Sequence, residues 1–173
     1  PLDRLLIMTH LVRRGGLIVH SAGLVMDGAG LAFLGVSGAG KTTLSELLVA
    51  AGLGDGVLSD DRTIVRTGDA SRHTVWGTPW PGDAGIARNL GAPLGALYFL
   101  RQEQRNEIVA LTPSAAVERL FPVISCPWYD RGLTTAVLDT CERLVADVPC
   151  YEFRFARDQG AVEALRRHAA TLS

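Results

Sequence analysis

The strongest constraint on the fold is a glycine-rich segment at residues 31–43. It reads Leu-Ala-Phe-Leu-Gly-Val-Ser-Gly-Ala-Gly-Lys-Thr-Thr. Residues 31–34 form an apolar run that predicts a buried strand, and residues 42–51 have apolar side chains at helical spacing. Between them, the spacing Gly-x-x-x-x-Gly-Lys-Thr is that of a phosphate-binding P-loop. The segment therefore predicts a strand, a tight phosphate-binding turn and a helix in succession.

Each residue type in this motif has a physical role. Glycine permits backbone angles and close approach that a Cβ atom would prevent. Backbone N–H groups can then converge on phosphate oxygens, and the positive end of the helix adds to that field. Lys41 supplies a full charge for the β- and γ-phosphates, and the Thr42 hydroxyl is suited to bind Mg²⁺. The predicted nucleotide-binding residues are Gly35, Ser37, Gly38, Ala39, Gly40, Lys41, Thr42 and Thr43.

Three further residues suit phosphoryl transfer, which requires a held metal and an oriented or deprotonated acceptor. Asp60 and Asp61 follow a short predicted strand. One carboxylate can hold Mg²⁺, directly or through water, and the other can act as a base. The alternative is a pair of turn aspartates that cap the strand end. His20 ends an earlier strand, where a protonated imidazole would stabilise charge or control the base, or where it is simply structural.

Composition limits the class of protein. With 173 residues, the sequence predicts a single domain that spans residues 1–173. The net charge of −1 and the absence of long charged runs argue against nucleic acid and membrane surfaces as partners. No signal peptide or membrane-length apolar segment is evident, and the three cysteines lack metal spacing. These features predict a reducing, cytoplasmic location and leave the oligomeric state open, a homo-oligomer included.

Periodicity predicts an α/β fold in which flanking helices cover a mixed β-sheet. Two short strands at residues 17–20 and 23–26 are expected to lie antiparallel to the P-loop strand. Thr112 is predicted to cap a helix, with Pro113 in its first position. The other predicted elements are helices at 2–13, 131–146 and 158–172, strands at 57–59, 63–66, 73–76 and 150–155, a hairpin of 94–100 with 107–111, and a turn at Gly68-Asp69.

Together these segments resemble the catalytic domain of HPr kinase/phosphorylase over about residues 16–66. The matching stretches are His20-Ser21-Ala22, the P-loop from Gly35 to Thr42, and Leu58-Ser59-Asp60-Asp61. The resemblance implies the P-loop fold shared with phosphoenolpyruvate carboxykinase, and an ATP- and Mg²⁺-dependent kinase that phosphorylates a serine of a protein or peptide. It implies His20, Lys41, Asp60 and Asp61 as catalytic residues and Thr42 and Asp60 as metal ligands. Asp61 is favoured as the base, although the two aspartate roles are interchangeable.

The sequence departs from this family after the aspartate pair. The family signature Glu-x-Arg-Gly-x-Gly has no counterpart in residues 74–80, where its glutamate and arginine are missing. Asp83 is a candidate replacement for the carboxylate, and Arg88 or Arg131 for the arginine. The loop at residues 77–83 is a candidate for acceptor recognition with Trp76 and Trp80, unless the two tryptophans pack it onto the core.

Two other functions fit the same residues. A small-molecule kinase of the sugar-acid type shares the glycine-rich motif, but the residues before the loop and the aspartate pair count against it. A nucleotide-binding regulatory module without transfer activity is the second alternative, because the signature glutamate and arginine are missing.

Overall fold

Helices and strands are mixed along the chain, and a run of consecutive strands separates the second α-helix from the third. The computed structural model describes residues 2–68 and 72–172. Within those residues the α-helices are α1 (Leu2–Val12), α2 (Lys41–Leu48), α3 (Pro113–Leu120), α4 (Arg131–Asp147) and α5 (Gln159–Ala169). The β-strands are β1 (Gly16–Met26), β2 (Ala29–Leu34), β3 (Val57–Ser59), β4 (Arg62–Thr67), β5 (His73–Gly77), β6 (Gly91–Gln102), β7 (Glu107–Ala110) and β8 (Cys150–Phe155).

Two long strands, β1 and β6, each belong to two sheets. Residues 16–20 of β1 pair antiparallel with β4, and residues 21–26 pair antiparallel with β2. Strand β6 pairs with β5 through its first residues, and with β2 and β8 further along. The first sheet therefore has the order β1-β4-β5-β6, and the second has the order β3-β1-β2-β6-β8-β7.

Strands β2, β6 and β8 are parallel neighbours in the second sheet. Their apolar side chains are buried on both faces, as is typical of parallel strands that are covered by helices. Because the three strands run in one direction, their carboxyl ends lie at the same edge of the sheet. That edge receives the glycine-rich loop, which follows β2.

The core consists of two apolar clusters, one on each face of the second sheet. On β2, Ala32 and Leu34 contribute to one cluster, and Leu31 and Phe33 contribute to the other. Residues of α1, α3 and α4 complete the first cluster, whereas residues of α2 and α5 complete the second. The mixed α/β architecture with flanking helices is therefore confirmed.

Most predicted elements are present, with small shifts. The helix at 131–146 extends to Asp147, and the strand at 150–155 has the predicted bounds. The Thr112 side chain accepts a hydrogen bond from the Ala115 N–H, so Thr112 caps α3 as predicted. The helix predicted to end at residue 51 continues from Leu48 into a π-helical turn at Val49–Leu53.

Two predictions about strands are wrong. The strands at 17–20 and 23–26 are one continuous strand, because the two halves of β1 serve different sheets. The segments at 94–100 and 107–111 do not form a hairpin, because β8 lies between β6 and β7 and pairs with both. The predicted turn at Gly68-Asp69 falls partly outside the described residues, and the single-domain assignment stays a prediction.

Candidate active site

A cavity of about 540 Å³ opens at the carboxyl ends of the parallel strands. In open α/β sheets, ligands commonly bind at this edge. Gly35 and Ala39 belong to the glycine-rich loop, residues 35–40, but do not line the cavity. The other predicted site residues do, namely His20, Ser37, Gly38, Gly40, Lys41, Thr42, Thr43, Asp60 and Asp61.

Glycine is required at several positions of the glycine-rich loop. Gly38 and Gly40 have φ angles of 83° and 102°, in the left-handed region that side chains with a Cβ rarely adopt. A Cβ atom on Gly40 would lie 2.6 Å from the Phe155 ring, and one on Gly35 would lie 2.4 Å from Cβ of Ala39. The loop thus lies directly against β8 and against its own second half before α2 begins.

Lys41 is the first residue of α2, and its side chain lies across the base of the glycine-rich loop. The ammonium group donates hydrogen bonds to the carbonyl oxygens of Gly35 (2.9 Å) and Val36 (3.2 Å). Burial lowers the pKa of Lys41, the Asp61 carboxylate opposes that shift, and the Arg62 guanidinium adds to it. The loop carbonyls therefore fix a buried cation at the wall of the cavity.

His20 and Asp61 form a close pair across neighbouring strands. His20 Nε2 lies 2.8 Å from Asp61 Oδ1, and Arg62 Nε lies 3.3 Å from Asp61 Oδ2. The backbone explains this arrangement, because His20 is opposite Arg62 in the β1–β4 register and its carbonyl accepts the Gly35 N–H. The pair therefore borders the start of the glycine-rich loop.

The electrostatic surroundings of His20 favour its neutral form. Burial lowers its pKa most, and the Lys41 and Arg62 charges lower it further, while the Asp61 carboxylate acts in the opposite direction. A neutral imidazole with Nε2 facing a carboxylate donates its proton there, which fixes the tautomer. The arrangement can orient the Asp61 carboxylate towards a proton donor in the cavity.

Asp60 is in very different surroundings from its neighbour. Asp60 is only 1% exposed to solvent. Oδ1 accepts hydrogen bonds from the Gly82 and Ile86 N–H groups at 2.9 and 3.2 Å, and Oδ2 accepts one from the Ala84 N–H at 2.7 Å. Asp60 thus stabilises the segment at residues 82–86, which we call the anchored loop.

Two residues of the cavity wall were not among the candidates predicted from the sequence. Gln102, the last residue of β6, and Arg157, two residues beyond β8, both line the cavity. Asp83, the suggested replacement carboxylate, also lines it. Arg88 and Arg131 do not line it, and Arg88 lies 3.8 Å from the exposed Asp55.

The two tryptophans near the anchored loop have contacts outside the cavity. Trp80 Nε1 donates a hydrogen bond to Asp3 Oδ2 at 3.0 Å, and the Arg4 guanidinium lies over the Trp80 ring. Trp80 thus packs the segment at residues 77–83 onto α1. Trp76 is 40% exposed, and its Nε1 donates to the Thr74 hydroxyl.

The described part of the chain contains neither a metal-binding group of side chains nor a helix that could span a membrane. Within residues 2–68 and 72–172, no three His, Cys, Asp or Glu side chains are grouped so that they could hold a metal ion. Over the same residues, every helix is too short or too polar to cross a lipid bilayer.

The mixed α/β fold has a counterpart among solved structures. The chain is similar in fold to the HPr(Ser) kinase/phosphatase from Coxiella burnetii, with a TM-score of 0.50, 12% identity, and coverage of 90% of this chain and 97% of that chain. The chain belongs to the family described as SynChlorMet cassette protein ScmC, whose model matches residues 4–161. No curated protein sequence matches it.

Proposed function

We propose that the chain is an ATP- and Mg²⁺-dependent phosphotransferase that transfers the γ-phosphate of ATP to a serine of a protein or peptide. The observation that carries the proposal is the His20–Asp61 pair, 2.8 Å apart, in one cavity with the Lys41 ammonium and a glycine-rich loop that precedes a helix. These are a base with its orienting partner, a cation and a backbone cradle. Phosphoryl transfer requires this combination.

The phosphate end of ATP binds along the glycine-rich loop, in a PEP-carboxykinase-like P-loop arrangement. The loop N–H groups and the first turn of α2 hold the phosphate oxygens, with Ser37, Ala39 and Thr43 among the contributing residues. Lys41 exchanges its loop carbonyl partners for phosphate oxygens. Because burial lowers its pKa, its charge is costly in the free protein, and an anionic ligand relieves that cost.

Hydroxyl and carboxylate oxygens in the cavity fit Mg²⁺, which prefers oxygen ligands and usually retains substrate phosphates and water in its coordination sphere. Thr42 would hold the ion, with nucleotide phosphates completing the set. When bound, Mg²⁺ neutralises charge on the transferred phosphate. Asp60 would act on it through water, because its oxygens already accept three backbone N–H groups.

In the transfer step, the serine hydroxyl oxygen attacks the γ-phosphorus and its proton passes to the Asp61 carboxylate. The new O–P bond forms as the bond between the γ-phosphorus and the β–γ bridging oxygen breaks, and ADP leaves. His20 orients Asp61, and the Lys41 ammonium faces the charge that develops on the phosphate oxygens.

The test is transfer of labelled phosphate from ATP to a panel of acceptors in the presence of Mg²⁺. The panel contains serine peptides, matched alanine peptides, HPr and sugar acids. We expect label on serine peptides or HPr and none on the alanine controls. Asp61→Asn should lower kcat by about 100-fold or more, since a general base contributes that much, while ATP affinity persists.

Other outcomes contradict the proposal. Transfer to sugar acids alone would identify a small-molecule kinase. Nucleotide binding of equal strength in wild type and Asp61→Asn, with no transfer to any acceptor, would identify a regulatory binding module.

A further inference from the structure

Gln102 and Arg157 are polar side chains of the cavity that have no role in the proposed transfer step. The strand order β1-β2-β6-β8 explains where they lie. His20 is on β1, on one flank of the glycine-rich loop that follows β2. Gln102 is the last residue of β6 and Arg157 lies two residues beyond β8, so both are on the opposite flank of the loop.

A chain of hydrogen bonds links Arg157 to the glycine-rich loop. Arg157 Nη2 donates to Gln102 Oε1 at 2.9 Å, and Gln102 Nε2 donates to the Gly38 carbonyl oxygen at 3.3 Å. Gln102 also lies against the loop where it enters α2, because a Cβ on Gly40 would be 2.8 Å from Gln102 Nε2. Gln102 therefore holds the guanidinium at a fixed place beside the loop.

One residue, Asn106, hydrogen-bonds to both sequence neighbours of Arg157. Asn106 Oδ1 accepts the Ala156 N–H at 2.8 Å, and Asn106 Nδ2 donates to Asp158 Oδ1 at 2.9 Å. The Glu103 N–H also donates to the Phe155 carbonyl oxygen, which extends the β6–β8 pairing to this point. An exposed arginine is costly to order on binding, and this bracing removes part of that cost.

The guanidinium retains donors for a ligand. Among the described residues, no carboxylate forms a salt bridge with Arg157, and Gln102 is its hydrogen-bond partner. By contrast, the nearby Asp60 and Asp61 carboxylates are partnered by backbone N–H groups and by His20 and Arg62. Arg157 is thus a preorganised cation that faces the cavity, and the planar guanidinium matches phosphate oxygens.

We propose that Arg157, held by Gln102, binds the phosphate chain of the nucleotide on the nucleoside side, opposite the His20–Asp61 pair. The inference rests on the proposed function, because the acid–base pair marks the flank where the terminal phosphate and its acceptor meet. The nucleoside end then extends towards β6 and β8. Arg157 is a binding residue and Gln102 is its positioning residue.

The test is equilibrium binding of MgATP and of inorganic triphosphate with Mg²⁺, measured by calorimetry on the full chain. Arg157→Ala should weaken both ligands by about tenfold, the loss of a charge-assisted contact. Arg167→Ala is the matched control, since Arg167 is exposed on α5 outside the cavity and its removal changes the net charge equally. It should leave both affinities unchanged.

A double-mutant cycle tests the positioning role of Gln102. Gln102→Met removes both hydrogen bonds at similar volume, and it should weaken both ligands by several-fold. In the Arg157→Ala background the same change should cost little more, because the two residues act as one unit. Fully additive losses would overturn the positioning role.

The remaining outcomes separate this inference from the proposed function. If Lys41→Ala abolishes binding while Arg157→Ala matches Arg167→Ala, the nucleotide site stands and Arg157 is not part of it. If Arg157→Ala weakens MgATP but not triphosphate, Arg157 contacts the nucleoside and the phosphate assignment is wrong. If the wild type binds neither ligand, both proposals fail.

Discussion

Asp60 and Asp61 show how adjacent residues of one type acquire different roles. Asp60 is almost fully buried and accepts three backbone N–H groups of the anchored loop. Asp61 keeps 27% of its side chain exposed and pairs with His20 in the cavity. Asp60 is therefore held by the fold, whereas Asp61 is the carboxylate available for the proton transfer that we propose.

Replacing Asp60 should loosen the anchored loop. Asp60→Ala leaves the Gly82, Ala84 and Ile86 N–H groups without their acceptor, and each buried unsatisfied donor costs roughly 1–3 kcal/mol. We expect the free energy of unfolding in urea to fall by about 3 kcal/mol, and trypsin to cleave after Arg88 faster in the native protein.

Asp139→Ala provides the control for Asp60→Ala, because Asp139 is exposed on α4. It should leave both the unfolding free energy and the cleavage rate near their wild-type values. Equal stability and equal cleavage in the two variants would show that Asp60 does not anchor the loop.

The pKa of His20 should report the charges around it. Burial and the Lys41 ammonium lower this pKa, and the Asp61 carboxylate raises it. Lys41→Met should therefore raise the pKa of His20, whereas Asp61→Asn should lower it further. The measurement is an NMR titration of the imidazole protons.

His168 is the internal reference for that titration. It lies on α5 beside Tyr98, and burial lowers its pKa independently of the cavity charges. Its titration should be the same in wild type and both variants. Shifts of the His20 pKa in the same direction in both variants would contradict this electrostatic description.

At the scale of elements, the sequence predicted individual motifs and strands better than it predicted which strands pair. The glycine-rich loop could be predicted because its motif spacing is a property of adjacent residues, whereas His20 and the aspartate pair were linked to it by their places at strand ends and by the family resemblance. The β6–β7 hairpin was wrong because periodicity identifies a strand but not its neighbour, and β8 forms much later in the chain. Gln102 and Arg157 were missed for the same reason, since a single polar residue after a strand has no motif until β6 and β8 are known to be parallel.

An ionic contact fastens helix α3 to strand β8. Glu152 on β8 keeps only 3% of its side chain exposed, and it pairs with Arg119 of α3 and with Arg154. Burial alone would raise the pKa of Glu152, but hydrogen bonds from Arg119 and Arg154 outweigh it, and the pKa is lowered. The ionised carboxylate is therefore the form that stabilises the fold.

A carboxyl group whose pKa is lowered by folding stabilises the protein at pH values above its pKa in the unfolded chain. That stabilisation is lost as the pH falls through the lower pKa of the folded state. Glu152→Gln should therefore be less stable than wild type by about 2 kcal/mol at pH 7, where two charged hydrogen bonds are weakened. The difference should narrow below pH about 4.5 as the wild-type carboxyl is protonated.

The measurement is the free energy of unfolding as a function of pH for both proteins. Glu163→Gln is the control, because Glu163 is exposed on α5, and it should follow the wild-type curve. A difference between wild type and Glu152→Gln that stays constant from pH 7 to pH 3 would rule out the ionic contribution.

At the scale of the whole molecule, the two sheets share two strands, β1 and β6. Strands β1 and β6 pair in both sheets through different residues, so continuous backbone joins the two sheets at two places. The two apolar clusters also share this framework, because β2 and β6 contribute side chains to both. The cavity depends on the same strands, since His20 of β1, Gln102 of β6 and the loop that follows β2 line it.

This continuity predicts one cooperative unfolding transition and so tests the single-domain assignment. Val75 belongs to the first cluster and Phe153 to the second, and both are fully buried. Val75→Ala should cost about 2 kcal/mol and Phe153→Ala about 4 kcal/mol. Each should shift the urea midpoint equally by far-ultraviolet circular dichroism and by tryptophan fluorescence, because Trp76 and Trp80 report on the first-sheet side. If Phe153→Ala lowers the dichroism midpoint and leaves the fluorescence midpoint unchanged, the second sheet unfolds separately and the chain is not one cooperative domain.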